Sequence, residues 1–203
     1  AFLLKSHFGV TQGAVIRLNK KLPVASGIGG GSADAAATAR LLNRLWGLGA
    51  SEQELADTLA PLGADIPACI FSRPSFGSGT GTALTFLDDS NISARHVLLV
   101  NPLQSVSTAA IFKAWSGIDG GAVHRGDIWD ASVKGRNDLE SIAAAICPII
   151  TDILDRLSHA NPAFVRMSGS GATCFALFND AEALQTARAT LDPEWWSMAS
   201  ALR

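Results

Sequence analysis

The sequence predicts an α+β protein of two domains, and three observations carry that expectation. A length of 203 residues at 48% hydrophobic content is enough for one large core or two smaller ones. Short β-patterned runs alternate with alanine- and leucine-rich helical runs, so no single period dominates. The texture turns polar over residues 90–95, between the strand-like runs Thr82 to Leu87 and His96 to Val100. A boundary there gives an N-terminal domain of 1–94 and a C-terminal domain of 95–203.

Within the first domain, Val15-Ile16-Arg17-Leu18-Asn19 alternates as a strand does. Ser32 to Trp46 is rich in helix formers and is stopped by Gly47 and Gly49. Ser51 followed by Glu54 is a capping box for a short helix towards Leu62. Gly63 to Pro67 reads as a turn, with Pro67 in the first turn of another short helix. Gly77 to Gly81 is a loop before the strand Thr82 to Leu87. In the second domain, Ser107 opens a helix through Trp115, and a polar, glycine-rich loop covers 117–126. Asn137 to about His159 reads as one long helix bent at Pro148. Phe164 to Met167 and Thr173 to Phe178 read as strands around the turn Ser168-Gly169-Ser170-Gly171-Ala172. Asp180 to Leu191 is a helix and Trp195 to Leu202 a last strand.

The charges, 16 Lys plus Arg against 18 Asp plus Glu, give no cationic excess of the kind that holds nucleic acid, so nucleic acid is not an expected partner. The longest apolar runs are too short to cross a bilayer, and no membrane association is expected. Cys69, Cys147 and Cys174 are far apart and odd in number, which points to buried free thiols in a cytoplasmic protein instead of disulfides or a zinc site. His7, His96, His124 and His159 are scattered without ligand spacing, and no metal ligand is assigned.

The stretch Pro23-Val24-Ala25-Ser26-Gly27-Ile28-Gly29-Gly30-Gly31-Ser32-Ala33 carries the chemistry. Its glycines let the backbone approach a ligand closely and aim N–H groups at it. A helix starting near Ser32 adds the positive end of its dipole. This is the composition of a polyphosphate cradle. A Walker loop needs Gly-Lys-Ser/Thr, a dinucleotide fingerprint needs Gly-x-Gly-x-x-Gly, and a protein kinase needs later His-Arg-Asp and Asp-Phe-Gly motifs; the sequence has none of these.

The stretch from Lys21 to Ala37 resembles the second motif of the GHMP kinases, whose pattern is Pro-x-x-x-Gly-Leu-Gly-Ser-Ser-Ala, with Ile28 in place of leucine and Gly30-Gly31 widening the loop. Leu62-Gly63-Ala64-Asp65-Ile66-Pro67 and the run Met167 to Phe178 extend the resemblance to the branch that phosphorylates a cytidine diphosphate-linked methylerythritol. The resemblance implies a two-domain GHMP kinase fold, with a ribosomal protein S5 domain 2-like N-terminal domain and a ferredoxin-like C-terminal domain facing it across a cleft. It implies ATP, accompanied by Mg2+, and phosphoryl transfer to a hydroxyl of that small-molecule substrate.

By residue, the resemblance assigns Pro23 to Ala33 to the ATP phosphates and Asp65 to catalysis; on its own, Asp65 reads as a helix cap before Ile66. It assigns Ser168, Gly169, Ser170 and Gly171 to a turn that helps close the site, where a plain hairpin is the alternative. Thr108 and Phe112 match substrate contacts, with Phe112 either stacking on cytosine or packing in a core with Ile111 and Trp115. Asn137-Asp138-Leu139-Glu140 is a further signature, read as a helix start. Ser32 either approaches magnesium or caps its helix. Lys20 and Lys21 are left out of the site as a solvated strand end. The family's first motif, Pro-Ala-Lys-x-Asn, and its Gly-Tyr-His segment have no match in this tyrosine-free sequence. The resemblance therefore implies an N-terminal segment beyond these residues, without which activity would be impaired and a sheet edge left exposed.

Overall fold

Two hydrophobic cores organise the chain. The computed structural model describes residues 1–88, 95–122 and 127–202, and divides into a unit of Ala1–Lys21 with Gly29–Asp88 and a unit of Leu22–Ile28 with Asp89–Arg203. The expected boundary after residue 94 falls at the edge of 89–94, which lie outside the described residues, as do 123–126 and His124. No helix among the described residues is long and apolar enough to cross a membrane.

The first unit holds α1 (Phe2–Phe8), α2 (Gly30–Leu45), α3 (Glu52–Leu59), α4 (Ile66–Phe71) and a hairpin of β1 (Ser75–Ser78) and β2 (Ala83–Phe86). Its core joins Leu4, Ala36, Ala39, Leu42, Leu55, Leu59, Ile66 and Ile70. The small alanines on α2 let neighbouring helices approach it closely. The capping box forms as expected: Ser51 Oγ accepts from the Glu54 amide at 3.2 Å and Glu54 Oε2 accepts from the Ser51 amide at 2.8 Å. Those bonds to the ionised form hold the Glu54 carboxyl below its usual range.

The strand expected at Val15–Asn19 is not there. Residues 10–21 form no regular element, and Val15, Ile16 and Leu18 are exposed. A strand exists only where its N–H and C=O groups find a ladder. None of the described strands pairs with this segment, so the alternating pattern has nothing to register against. Helix α1, by contrast, has no forecast; Leu4 anchors it and Gly9, at φ 64°, ends it.

The second unit is a four-stranded antiparallel sheet in the order β4-β5-β3-β6, from β3 (His96–Asn101), β4 (Phe164–Met167), β5 (Cys174–Phe178) and β6 (Trp196–Ala201). Helices α5 (Thr108–Ala114), α6 (Ile128–Lys134), α7 (Glu140–Ile146) and α8 (Ile149–Ser158) separate β3 from β4, and α9 (Ala181–Ala189) separates β5 from β6. This is the split β-α-β arrangement of the ferredoxin-like fold. Ile150, Ile153 and Leu157 put one face of α8 into a core with Leu98, Val100, Met167 and Phe178.

The long helix expected from Asn137 is two helices. Pro148 has no N–H and disfavours a helical residue before it, so Cys147 turns out to φ −132°, ψ 85° and Pro148 becomes the N-cap of α8. Its start also moves, because Asn137 Oδ1 accepts from the Leu139 amide at 3.0 Å and keeps 137–139 out of the helix. All three cysteines are free, as expected. Burial pushes the Cys174 thiol up to about 12.

Leu98 is fully buried at the centre of the sheet. Leu98→Ala should cost about 2–5 kcal/mol in urea unfolding followed by circular dichroism, whereas Leu62→Ala, at an exposed site, should stay within about 0.5 kcal/mol of the parent.

Candidate functional site

The glycine-rich stretch is divided between two anchors. Its first half packs with the second unit, and from Gly29 it belongs to the first. In the second unit the Ser26 carbonyl accepts from the Thr173 amide at 3.2 Å, and the Gly27 carbonyl accepts from Ser168 Oγ at 2.8 Å. The buried Ser26 hydroxyl donates to the Pro23 carbonyl at 2.9 Å, which tightens the turn. Gly27 is required on two counts. Its φ is 73°, and a Cβ would stand 2.5 Å from the Gly171 carbonyl oxygen and 2.7 Å from that of Ser168. Gly169 mirrors it at φ 54°, where a Cβ would come 2.9 Å from the Gly27 oxygen.

The 168–171 turn is therefore more than a hairpin connection, because backbone meets backbone across it. Ser170 Oγ lies 2.8 Å from Thr108 Oγ1, so the structure brings together Ser168, Gly169, Ser170, Gly171, Thr108, Ser26 and Gly27 within one unit. Phe112 is on α5 but not in its core. Ile111 is fully buried while Phe112 is 54% exposed, which removes the packing alternative for that ring.

In the first unit, Gly29 at φ 63° is the N-cap of α2, whose first residue, Gly30, is two positions ahead of the expected start. Its carbonyl accepts from the Ala33 amide at 2.9 Å. The amides of Gly30, Gly31 and Ser32 precede that first intrahelical bond and point out of the helix start. Ser32 thus lies inside the first turn, and the capping role considered for it is excluded. Asp65 occupies the N-cap position of α4 but makes no capping hydrogen bond, so the cap alternative fails in its chemistry. Its carboxylate is exposed and stands beside the start of α2, with Oδ2 3.8 Å from where a Gly29 Cβ would be. Burial, then the Asp65 charge, push the nearby Cys69 thiol up.

Lys20, set aside as a solvated strand end, is ion-paired with Asp34 one turn into α2. Sequence reasoning missed this pair, because the partners are fourteen residues apart and no local spacing joins them. It also missed Asn137 as a contact of the turn: Nδ2 donates to the carbonyls of Met167 at 3.0 Å and Gly169 at 2.7 Å.

The model of the GHMP kinases N terminal domain matches residues 1–73, and that of the GHMP kinases C terminal domain matches 129–197. A relative in Sphingopyxis alaskensis, named 4-diphosphocytidyl-2-C-methyl-D-erythritol kinase, is 48% identical over 99% of this chain and 73% of its own length. One of the same name in Novosphingobium aromaticivorans is 44% identical over 95% of this chain and 66% of its own length. Among solved structures, a 4-(cytidine 5'-diphospho)-2C-methyl-D-erythritol kinase superposes with a TM-score of 0.77 at 25% identity, covering 98% of this chain and 75% of its own. A homoserine kinase from Cytophaga hutchinsonii has the same fold, with a TM-score of 0.70 at 18% identity over 89% of this chain and 67% of its own.

The two kinds of glycine separate by experiment. Gly27→Ala should lower the melting temperature by several degrees, from a strain of about 1–3 kcal/mol. Gly31→Ala, where a Cβ meets nothing within 4 Å, should melt at or above the parent temperature. Differential scanning calorimetry of the two variants checks both.

Proposed function

The chain belongs to the GHMP kinases and, within them, to the 4-diphosphocytidyl-2-C-methyl-D-erythritol kinases, and we propose that it transfers the γ-phosphoryl group of ATP to a hydroxyl of that cytidine diphosphate-linked alcohol. The chain spans 73% and 66% of the length of the two curated relatives compared above. The observation that carries the local reading is Gly31. Its backbone is ordinary helix and its surroundings leave room for a side chain, so the fold gives no reason for glycine where alanine would favour the helix by up to about 1 kcal/mol. A ligand lying against the start of α2 supplies that reason.

The proposed roles follow from the chemistry of each group. The amides of Gly30, Gly31 and Ser32, with the positive end of α2, receive phosphate oxygens. Leu22–Ile28, fastened by Ser168 and Thr173, presents the backbone from Pro23 to Ile28 to the nucleotide. Asp65 takes the proton of the acceptor hydroxyl as its oxygen bonds to the γ-phosphorus and the bond to the β-phosphate oxygen breaks, leaving ADP. Its freedom from capping supports this, since no amide of α4 occupies the oxygen that would receive the proton. Thr108, Ser170 and the outward ring of Phe112 are proposed to contact the cytidyl substrate. The Ser32 hydroxyl is a hard oxygen donor that suits Mg2+ beside phosphate oxygens, where the ion would neutralise charge.

With ATP and magnesium, turnover of the cytidyl substrate and none of homoserine or mevalonate is expected in a coupled ADP assay; the reverse preference would sink this substrate. Gly31→Leu should lose ATP affinity at least about tenfold in calorimetric titration without a matching loss of melting temperature. Asp65→Asn should bind ATP within a few fold of the parent and lose roughly 10²–10⁴ in kcat. Unchanged turnover would remove Asp65 from the base role.

A further inference from the structure

Residues 137–140 hold the end of β4 from both sides. Asn137 Nδ2 donates to the Met167 carbonyl at 3.0 Å and to the Gly169 carbonyl at 2.7 Å, while Glu140 Oε2 accepts from the Met167 amide at 2.7 Å. Asn137 Oδ1 is itself fixed by the Leu139 amide at 3.0 Å, so the side chain is tied at both ends of its amide. Met167 is the last residue of β4 to pair with β5, opposite Cys174. From the next residue the turn must find its geometry without the ladder. Two bonds inside it, from the Gly171 amide to the Ser168 carbonyl at 3.0 Å and from the Ser168 amide to the Thr173 carbonyl at 2.8 Å, close it locally. The carbonyl of Gly169 takes part in neither and goes to Asn137.

That carbonyl sits between two hydroxyls with other duties. Ser168 Oγ donates to the Gly27 carbonyl, and Ser170 Oγ meets Thr108 Oγ1. The backbone approach at Gly27 leaves no slack, since a single added carbon on either side would clash. A small rotation of the Gly169 peptide therefore moves both serines and displaces Gly27.

We propose that Asn137 is a positioning residue for the nucleotide: it touches no substrate, but by holding the Gly169 peptide it sets where the 168–171 turn presents the glycine loop at Gly27. This rests on the kinase reading above. Among neutral side chains of this length, asparagine offers two donors and an acceptor in one plane, which is what two carbonyls and one amide require. Asn137→Asp keeps the shape but sets a carboxylate oxygen against two carbonyl oxygens. The repulsion opens the turn and raises the pKa of the new carboxyl above its ordinary value of about 4. Protonation restores one donor. The defect should accordingly be relieved by acid, which a loss of packing would not be.

The test titrates an unhydrolysable ATP analogue into the full chain by calorimetry, for the parent and Asn137→Asp, from about pH 8 to about pH 5. The expected result is an affinity at least about tenfold weaker for Asn137→Asp at the upper end, with the gap narrowing as pH falls. In steady state the KM for ATP should rise tenfold or more while kcat stays within about threefold. A parent that binds no nucleotide at any pH would overturn the kinase reading itself. Equal affinities at every pH, or a deficit that does not change with pH, would overturn the role of Asn137 alone. Should Asn137→Asp melt below the assay temperature, Asn137→Ser carries the test through the same split of KM from kcat.

Discussion

The backbone of Gly27 lies directly against the backbone of Ser168 to Gly171, and the placement of the loop in the second unit depends on that contact. No side chain can intervene, because a Cβ at Gly27, Gly169 or Gly171 would stand within 3.0 Å of another atom. The contact is fixed by the sheet behind it. Thr173, fully buried, sends its amide to Ser26 and receives at its hydroxyl the Asn101 side chain at 2.8 Å, while Asn101 ends β3 next to β5. Strand register, a buried polar pair and a glycine contact thus form one chain of constraint from core to loop. Buried polar groups of this kind are held in one geometry because leaving any of them unpaired would cost about 1–3 kcal/mol.

The other half of the loop is held by different physics. Gly29 turns into the left-handed region and begins α2, whose direction is set by Ala36, Ala39 and Leu42 in the first unit's core. Ile66 and Ile70 of α4 join the same core, and Pro67 is buried on that helix. The position of Asp65 is therefore dictated by hydrophobic neighbours one and two residues along. Its carboxylate makes no capping bond to α4 and so is free for the proton transfer proposed above.

Much of this was legible in the sequence wherever the signal was local. The capping box at Ser51 and Glu54, the caps at Ser107 and Asp180, and the strands flanking the 168–171 turn all rest on residues a few positions apart. The forecasts that failed needed information from elsewhere in the chain. Val15 to Leu18 has the alternation of a strand but no ladder beside it. Lys20 looked solvated until Asp34 met it. Asn137 read as a helix start, and its second set of bonds, to residues thirty and more positions away, has no trace in spacing. Pro148 signals a bend in the sequence but makes a break in the structure, because its effect on Cys147 adds to its own missing donor. The roles of Asp65 and the glycines were named from motif resemblance; the local pattern alone allowed a cap and a turn.

Gly31 and Asp65 share a property that sets them apart from Gly27. Gly27 satisfies a rule of the fold, since nothing else fits. Gly31 breaks one, as a poor helix former in a helix with room for alanine, and Asp65 breaks another, as an N-cap residue that caps nothing. Gly29 belongs with Gly27, because its φ of 63° lies in the left-handed region that favours glycine. Each departure forgoes about half to one kcal/mol of local stability, and the two fall together where α2 begins. Random drift would scatter such losses over the surface. Their concentration at one helix start, where amides face outward beside a non-capping carboxylate, supports the phosphate-binding and proton-accepting roles proposed above.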